Sequence, residues 1–276
     1  MVKRKSKCLL FSILAIGIVT IALIAPYITY YDSNKQDLMN ALQPPSKEHL
    51  FGTDRYGRDM FLRVLVGARC SVFSTLLLVF LSSVFGTTIG MICGYFEGIV
   101  DTVIMKLSDV FLSIPGMVFA LAVAGVLGGG IANAVFALLL ISWPKYARLA
   151  RSQVLSEKRN TYVDAAILSG SNTIQIIFIH ILPNIFGMVV TTALLDIGTM
   201  MMELAGLSFL GLGAMPPTAE WGLMMSSGRS MIQTSPWVIL APGFAIFITV
   251  SIFNLLGDSY RDWMDVRHKE KGSTSK

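Results

Sequence analysis

Asp54, Arg55, Arg58 and Asp59 place two carboxylates and two guanidiniums within one short stretch. Acid–base catalysis needs a defined carboxylate pair, or a nucleophile beside its base. No histidine is expected next to these residues and no Ser/His/Asp order stands out, so a capped helix start on an outer face is the better reading. The zinc motif HExxH and the phosphate-binding P-loop are both absent. The chain therefore has no nucleotide site of the usual kind, and any energy must come from partners. Asp196 and Glu203 lie about two helical turns apart in a late apolar run. Ionisable groups at such depth are functional candidates, with a hydrogen bond to a neighbouring helix as the plain alternative. Met200, Met201 and Met202 supply thioethers, which suit soft metals but more simply fill irregular apolar gaps.

The remaining polar chemistry is sparse. His49, His180 and His268 all fall outside the middle of any apolar run, whereas a bare divalent ion would want imidazoles along its path. A chelated ion or a peptide fits better. Cys8, Cys70 and Cys93 have neither zinc nor disulfide spacing. An ion channel would want rings of acids or a carbonyl filter. No catalytic residue, metal ligand set or cofactor is assigned.

What positions these residues is a set of long apolar runs. Of 276 residues, 54% are hydrophobic and 14% charged, against about 25% charged in soluble domains. The basic residues flank apolar runs instead of forming a stripe on a soluble face, which excludes nucleic acid as a partner. Six crossings of a lipid bilayer are predicted: Cys8 to about Ile28, Cys70 to Phe96, Val110 to Leu127, Ile131 to Ala150, Asn184 to Leu204, and Trp237 to Leu256 with Gly257 as its end. The expected fold is an all-α polytopic membrane bundle. Residues 1–31 form a basic N-terminus and first helix, 32–69 an extracytoplasmic segment, 70–257 the core, and 258–276 a cytoplasmic tail. Gly86, Gly90 and Gly94 recur every four residues and mark a face for close helix approach. Six crossings put both termini on one side. Lys3, Arg4, Lys5 and Lys7, with the basic residues between Lys145 and Pro183, make that side cytoplasmic. The segment Glu97–Asp109 is net acidic and is the exception.

The loop at about 156–183 reads locally as two short helices. Thr161 is expected to cap the first with Asp164 in its first turn, and Gly170 to end it. Asn172 and Gln175 form a capping box. Ile174, Ile177, Phe178 and Ile181 form an apolar face, and Pro183 marks entry into the fifth crossing. Small Ala165 and Ala166 on an exposed elbow suit close packing by another protein.

Asp164-Ala165-Ala166, Gly170 and Leu182-Pro183 resemble the coupling-loop signature of bacterial ABC importer permeases, EAA-x3-G-x9-I-x-L-P. Asp164 stands for Glu and His180 for Ile, the latter as in the peptide and nickel branch. The stretch from Phe51 to Arg69 resembles LGTDxxGRD…SR…GAR of that branch, and Leu207–Gly222 resembles LSFLGLG…PPTxEWG. The resemblance implies a cytoplasmic two-helix coupling loop (Asp164, Ala165, Ala166, Gly170, His180, Leu182, Pro183) that docks on an ATPase subunit. It implies a second homologous permease, two ATPase subunits, an extracytoplasmic solute-binding protein, and a bacterial cell membrane location. Leu195 to Gly222 looks closest to nickel-type permeases, so nickel or a related metal chelate is the expected cargo, with dipeptides or oligopeptides as the alternative. Asp196, Met200, Met201 and Glu203 are candidates for the translocation path.

Overall fold

The computed structural model describes residues 2–29 and 33–273. The side chains of Lys3, Arg4, Lys5 and His268, the expected boundary at 31–32 and the last three residues lie outside the described residues. Ten α-helices follow one another, with no strand among the described residues: α1 Val2–Ile28, α2 Met60–Phe96, α3 Gly98–Ser113, α4 Gly116–Val126, α5 Ile131–Glu157, α6 Thr161–Leu168, α7 Thr173–Gln175, α8 Leu182–Phe209, α9 Trp221–Gly228 and α10 Trp237–Ser273.

The glycine face is where the sequence places it. A Cβ on Gly86, Gly90 or Gly94 would lie 2.7, 2.8 or 2.9 Å from the Cβ of Tyr146, Ala150 or Val154. Two backbones meet there because neither side chain stands between them. The pairs 86–146, 90–150 and 94–154 rise together, so α2 and α5 run parallel. Parallel neighbours require an odd number of passes between them, so α3 and α4 together return the chain across the bundle. The expected single helix from Val110 to Leu127 is corrected here: the chain breaks at Ile114–Pro115 with a 92° bend. Proline disfavours helical conformation in the residue before it, and Ile114 is extended (φ −90°, ψ 133°).

Among the described residues, four helices are long and apolar enough to span a bilayer, and counting the bent pair as one span makes five. α5 is the sixth pass by direction. Its 27 residues reach about 40 Å at 1.5 Å per residue, and α2 shields much of its length. α8 packs antiparallel on α10, with Gly198 against Asn254 and Gly257 against Leu195. Gly257 thus sits inside α10 as a close-approach residue and does not end it. α1 runs against α2 and α10: Ala15 joins Leu78 and Phe253 in one apolar cluster, and Ala22 joins Val64, Val72 and Ile246 in another. Passes in α1, α2, α3–α4, α5, α8 and α10 therefore alternate, and both ends of the chain leave at one end of the bundle. That end carries the elbow Thr161–Ile181; residues 33–59 and 210–236 lie at the opposite end.

α2 begins at Met60, ten residues before the apolar run at Cys70. Asp59 caps it, accepting from Leu62 N–H at 3.0 Å. His49 Nδ1 lies 2.8 Å from the other Asp59 oxygen, so a histidine does stand beside this cluster, which the sequence reading did not foresee.

Candidate functional site

The elbow is a fixed structure built on the ends of α2 and α5. Val163, Ile176, Ile177, Ile181 and Ile185 are buried with Met91, Ala150 and Val154 in one cluster. Asn160, not Thr161, is the N-cap of α6; its amide instead donates to Glu157 Oε2 at 2.9 Å, and Thr161 is the first helical residue. Tyr162 donates to the same carboxylate oxygen at 2.7 Å and accepts from Asn184 Nδ2 at 2.9 Å. Burial and that carboxylate push the Tyr162 hydroxyl up to about 12, so it stays a neutral donor.

Gly170 ends α6 as predicted, with φ +85°. Its N–H donates to Ile167 O at 3.0 Å and Ser171 N–H to Ala166 O at 3.1 Å, the paired bonds of a Schellman motif. The capping box of Asn172 and Gln175 is present in both directions, at 2.9 and 3.0 Å. A π-helical turn, Ile176–Ile181, then leads into α8. Pro183 has no N–H to offer the fourth carbonyl before it, and Leu182 N–H reaches five residues back to Ile177 O. The turn shifts the apolar face: Ile177 and Ile181 point inward as expected, whereas Ile174 and Phe178 are exposed.

The elbow's outer surface therefore holds Asp164, Ala165 and Gly170 together with exposed Ile167, Leu168 and Ile174. Leu168 is 88% exposed. Ala166 is buried, His180 and Leu182 half-buried, and Pro183 exposed. Exposed apolar residues around a small-residue patch are the makeup of a protein-binding surface. Leu168 and Ile174 belong to it although the sequence motif does not include them.

The acidic segment Glu97–Asp109 finds its partners on α5. Asp101, 5% exposed, takes both Nε and Nη2 of Arg151 at 2.5 and 2.6 Å. Glu97 pairs with Lys158 at 3.0 Å, and Asp109 with Arg148. These three ion pairs clamp α3 along the elbow end of α5, leaving Ile99, Val100 and Val103 exposed.

Mid-bundle, buried Asp196 on α8 pairs with Lys145 on α5, so the interhelical bond is realised. One Asp196 oxygen and Glu203 Oε2 have no hydrogen-bond partner. Met200 and Met201 are buried in the two apolar clusters, which places them as gap-filling side chains within this bundle. Met202 is the exposed one of the three, on an apolar groove with Gly206, Phe209 and Phe247. Of the four path candidates, Glu203 is the one with partial exposure.

At the opposite end, residues 40–59 fold into a tight cap. Thr53 is fully buried; its hydroxyl donates to Asn40 O at 2.5 Å and accepts from Gln43 N–H at 2.8 Å. Trp237 Nε1 donates to Thr53 O at 3.1 Å. Glu220, 1% exposed, caps α9 by accepting from Gly222 and Leu223 N–H at 3.0 and 2.8 Å, and from Ser71 Oγ at 3.1 Å. Trp221 Nε1 donates to Val64 O at 2.9 Å. The PPTAEWG stretch is thereby fastened to the start of α2, with a cavity of about 60 Å³ between Asp54–Arg63 and Pro216–Thr218.

Comparison with known proteins adds identity to this geometry. Residues 86–270 match the family described as "Binding-protein-dependent transport system inner membrane component". A dipeptide transport system permease protein of Alkalihalophilus pseudofirmus is 39% identical over 96% of this chain and 88% of its own length. One from Haemophilus influenzae is 37% identical over 97% and 93%. A glutathione transport system permease protein of Escherichia coli is 41% identical over 97% and 88%. The inward-facing MetNI methionine ABC transporter has a chain with the same fold: TM-score 0.54, 19% identity, covering 74% of this chain and 97% of that one. The names of these relatives fit the branch expected from the sequence. They do not support a nickel-type chain as the nearest likeness, and that expectation gives way to its peptide alternative.

Proposed function

This chain belongs to the binding-protein-dependent inner membrane component family and is a multi-pass permease subunit of an ABC importer, and from that premise we propose that its cargo is a short peptide. The chain itself is not an enzyme; ATP hydrolysis belongs to ATPase partners, and a substrate-binding protein delivers the cargo. The observation that carries the peptide reading is 37–41% identity along nearly the whole chain to dipeptide and glutathione permeases. The burial of Met200 and Met201 supports it, because thioethers packed into the bundle core offer no ligands to a passing ion.

The elbow is the docking surface for an ATPase subunit. Asp164, Ala165 and Gly170 meet a cleft on that partner, and Ile167, Leu168 and Ile174 supply apolar contact. The fixed cluster under the elbow transmits the partner's movement into α5 and α8. The elbow end, with both termini, faces the cytoplasm, and residues 33–59 and 210–236 face outside. A second, homologous permease completes the path, and the two bundles rock about a central site to give alternating access. The test is uptake in a deletion strain restored with this chain and its partners. Labelled dipeptides or glutathione are expected to accumulate only in the restored strain, and labelled nickel equally in both. Restored nickel uptake without peptide uptake would reverse the assignment.

A further inference from the structure

We propose that the cavity between Asp54–Arg63 and the Pro216–Thr218 turn receives a carboxylate side chain, Asp or Glu, of the solute-binding protein. This rests on the importer reading and on the outside placement of that end. The cavity is lined by three guanidiniums, Arg55, Arg58 and Arg63, and by one carboxylate, Asp54. Asp54 has no capacity left. One oxygen accepts from Tyr56 and Arg58 N–H at 2.8 and 3.0 Å, and the other holds the Arg58 guanidinium at 2.6 and 2.7 Å. Arg63 sits 3.9 Å from the same oxygen and gives Nη1 to Ser33 O and Asn34 Oδ1. Arg55 makes no ion pair with any described carboxylate. Arg55 and Arg58 both stack on the Tyr56 ring, at 4.7 and 4.6 Å. Arg58 and Arg63 already share Asp54, so exposed Arg55 is the guanidinium left to meet an incoming anion, and guanidinium forks match carboxylate geometry.

Position and family point to the source of the anion. The cavity lies at the end assigned to the outside, and the family is described as dependent on a binding protein, which meets the permease on that side. The wall of the cavity is closely packed: Thr53 is fully buried, and Gly52 and Gly57, at positive φ, lie so near Gln43 O and Asp37 O that a Cβ would not fit. A fixed, positively charged socket on the outer face fits a partner that docks from outside. Such complementarity governs encounter rate and register.

The test uses the complete importer in lipid nanodiscs, with its solute-binding protein loaded with dipeptide. Stimulated ATPase activity is titrated against binding-protein concentration. Stimulation of the wild type tests the importer reading; the variants test this one. Arg55→Glu is expected to raise the half-saturating concentration about tenfold and Arg55→Gln less, with the wild-type value rising with salt. Lys47→Gln, an exposed basic residue outside the cavity, is expected to leave it unchanged. An acidic residue on the binding protein changed to Lys is expected to restore docking to Arg55→Glu. An Arg55→Glu titration that overlays the wild type would overturn the proposal. So would Arg55-dependent stimulation by free dipeptide without the binding protein, which would assign the cavity to the cargo's own carboxylate.

Discussion

Gly170 offers the sharpest test of how the elbow works. It sits at φ +85°, and nothing lies within 4 Å of the position a Cβ would take. A side chain there meets no clash inside this chain, so the whole intramolecular cost of substitution is conformational. For an L-residue in the left-handed region that cost is about 1–2 kcal/mol. It is smaller for Asn, whose short amide tolerates this region, and larger for a β-branched residue. Since about 1.4 kcal/mol is a tenfold change in an equilibrium, Gly170→Ala should reduce the docked elbow geometry by about five- to thirtyfold where that geometry is marginal. The readout is peptide transported per ATP hydrolysed by the reconstituted importer. The expected order is Gly, Asn, Ala, Val, from coupled to uncoupled, with all four proteins inserted in the membrane. Gly170→Asn uncoupling as completely as Gly170→Val would refute the backbone argument and shift the requirement to empty space in the partner's cleft. Ala and Val at wild-type coupling would remove Gly170 from the mechanism.

Three other expectations follow from the geometry. In a background lacking Cys8, Cys70 and Cys93, Lys47→Cys should react with an impermeant thiol reagent added to whole cells and Ser156→Cys should not; the opposite pattern inverts the orientation. Gly90→Ala should destabilise the purified protein by about 1–3 kcal/mol because its Cβ meets Ala150 and the α5 backbone, whereas Gly125→Ala, with open space around it, should melt like the wild type. Asp101→Ala should cost up to about 3 kcal/mol by leaving Arg151 unpaired, and Asp101→Arg with Arg151→Asp should recover part of it; simple additivity of the two single changes in thermal melting would deny the pair any coupling.

What the sequence showed, and what it hid, separates by distance along the chain. The Gly86–Gly90–Gly94 face, the Asn172–Gln175 box and the Gly170 turn are readable because each feature's geometry is encoded within a few residues. Gly257 was misread because close approach and helix termination both call for glycine, and only Leu195 on α8 decides between them. Pro115-Gly116 marks the break at Ile114–Pro115 in the sequence, but the apolar composition on both sides made a single crossing of it. Thr161 and Asn160 are both good caps, and one residue of offset moved the helix start. The inward turn of Ile177 and Ile181 was legible; the outward turn of Ile174 and Phe178 was not, because a π-turn changes the period on which the reading depends. The outer cavity was illegible for the plainest reason: its walls are some 150 positions apart, as with the Ser71–Glu220 bond that closes them.

The acidic segment that departs from the charge rule is paired within the bundle. Glu97, Asp101 and Asp109 are each matched by a base on α5, so they neutralise nothing in the loops beyond. Acids count for little in setting orientation in any case; lysines and arginines near helix ends set it. With the proposed orientation, Arg55, Arg58 and Arg63, together with Lys35, Lys47 and Arg229, are carried across the membrane during insertion and oppose the rule. Positive charge retained on a translocated segment works against the topology of the whole chain. Lys47 and Arg229 add charge elsewhere at that end, so what sets the socket apart is that three guanidiniums line one cavity. In the proposed docking, an acidic contact from the incoming partner neutralises part of that charge.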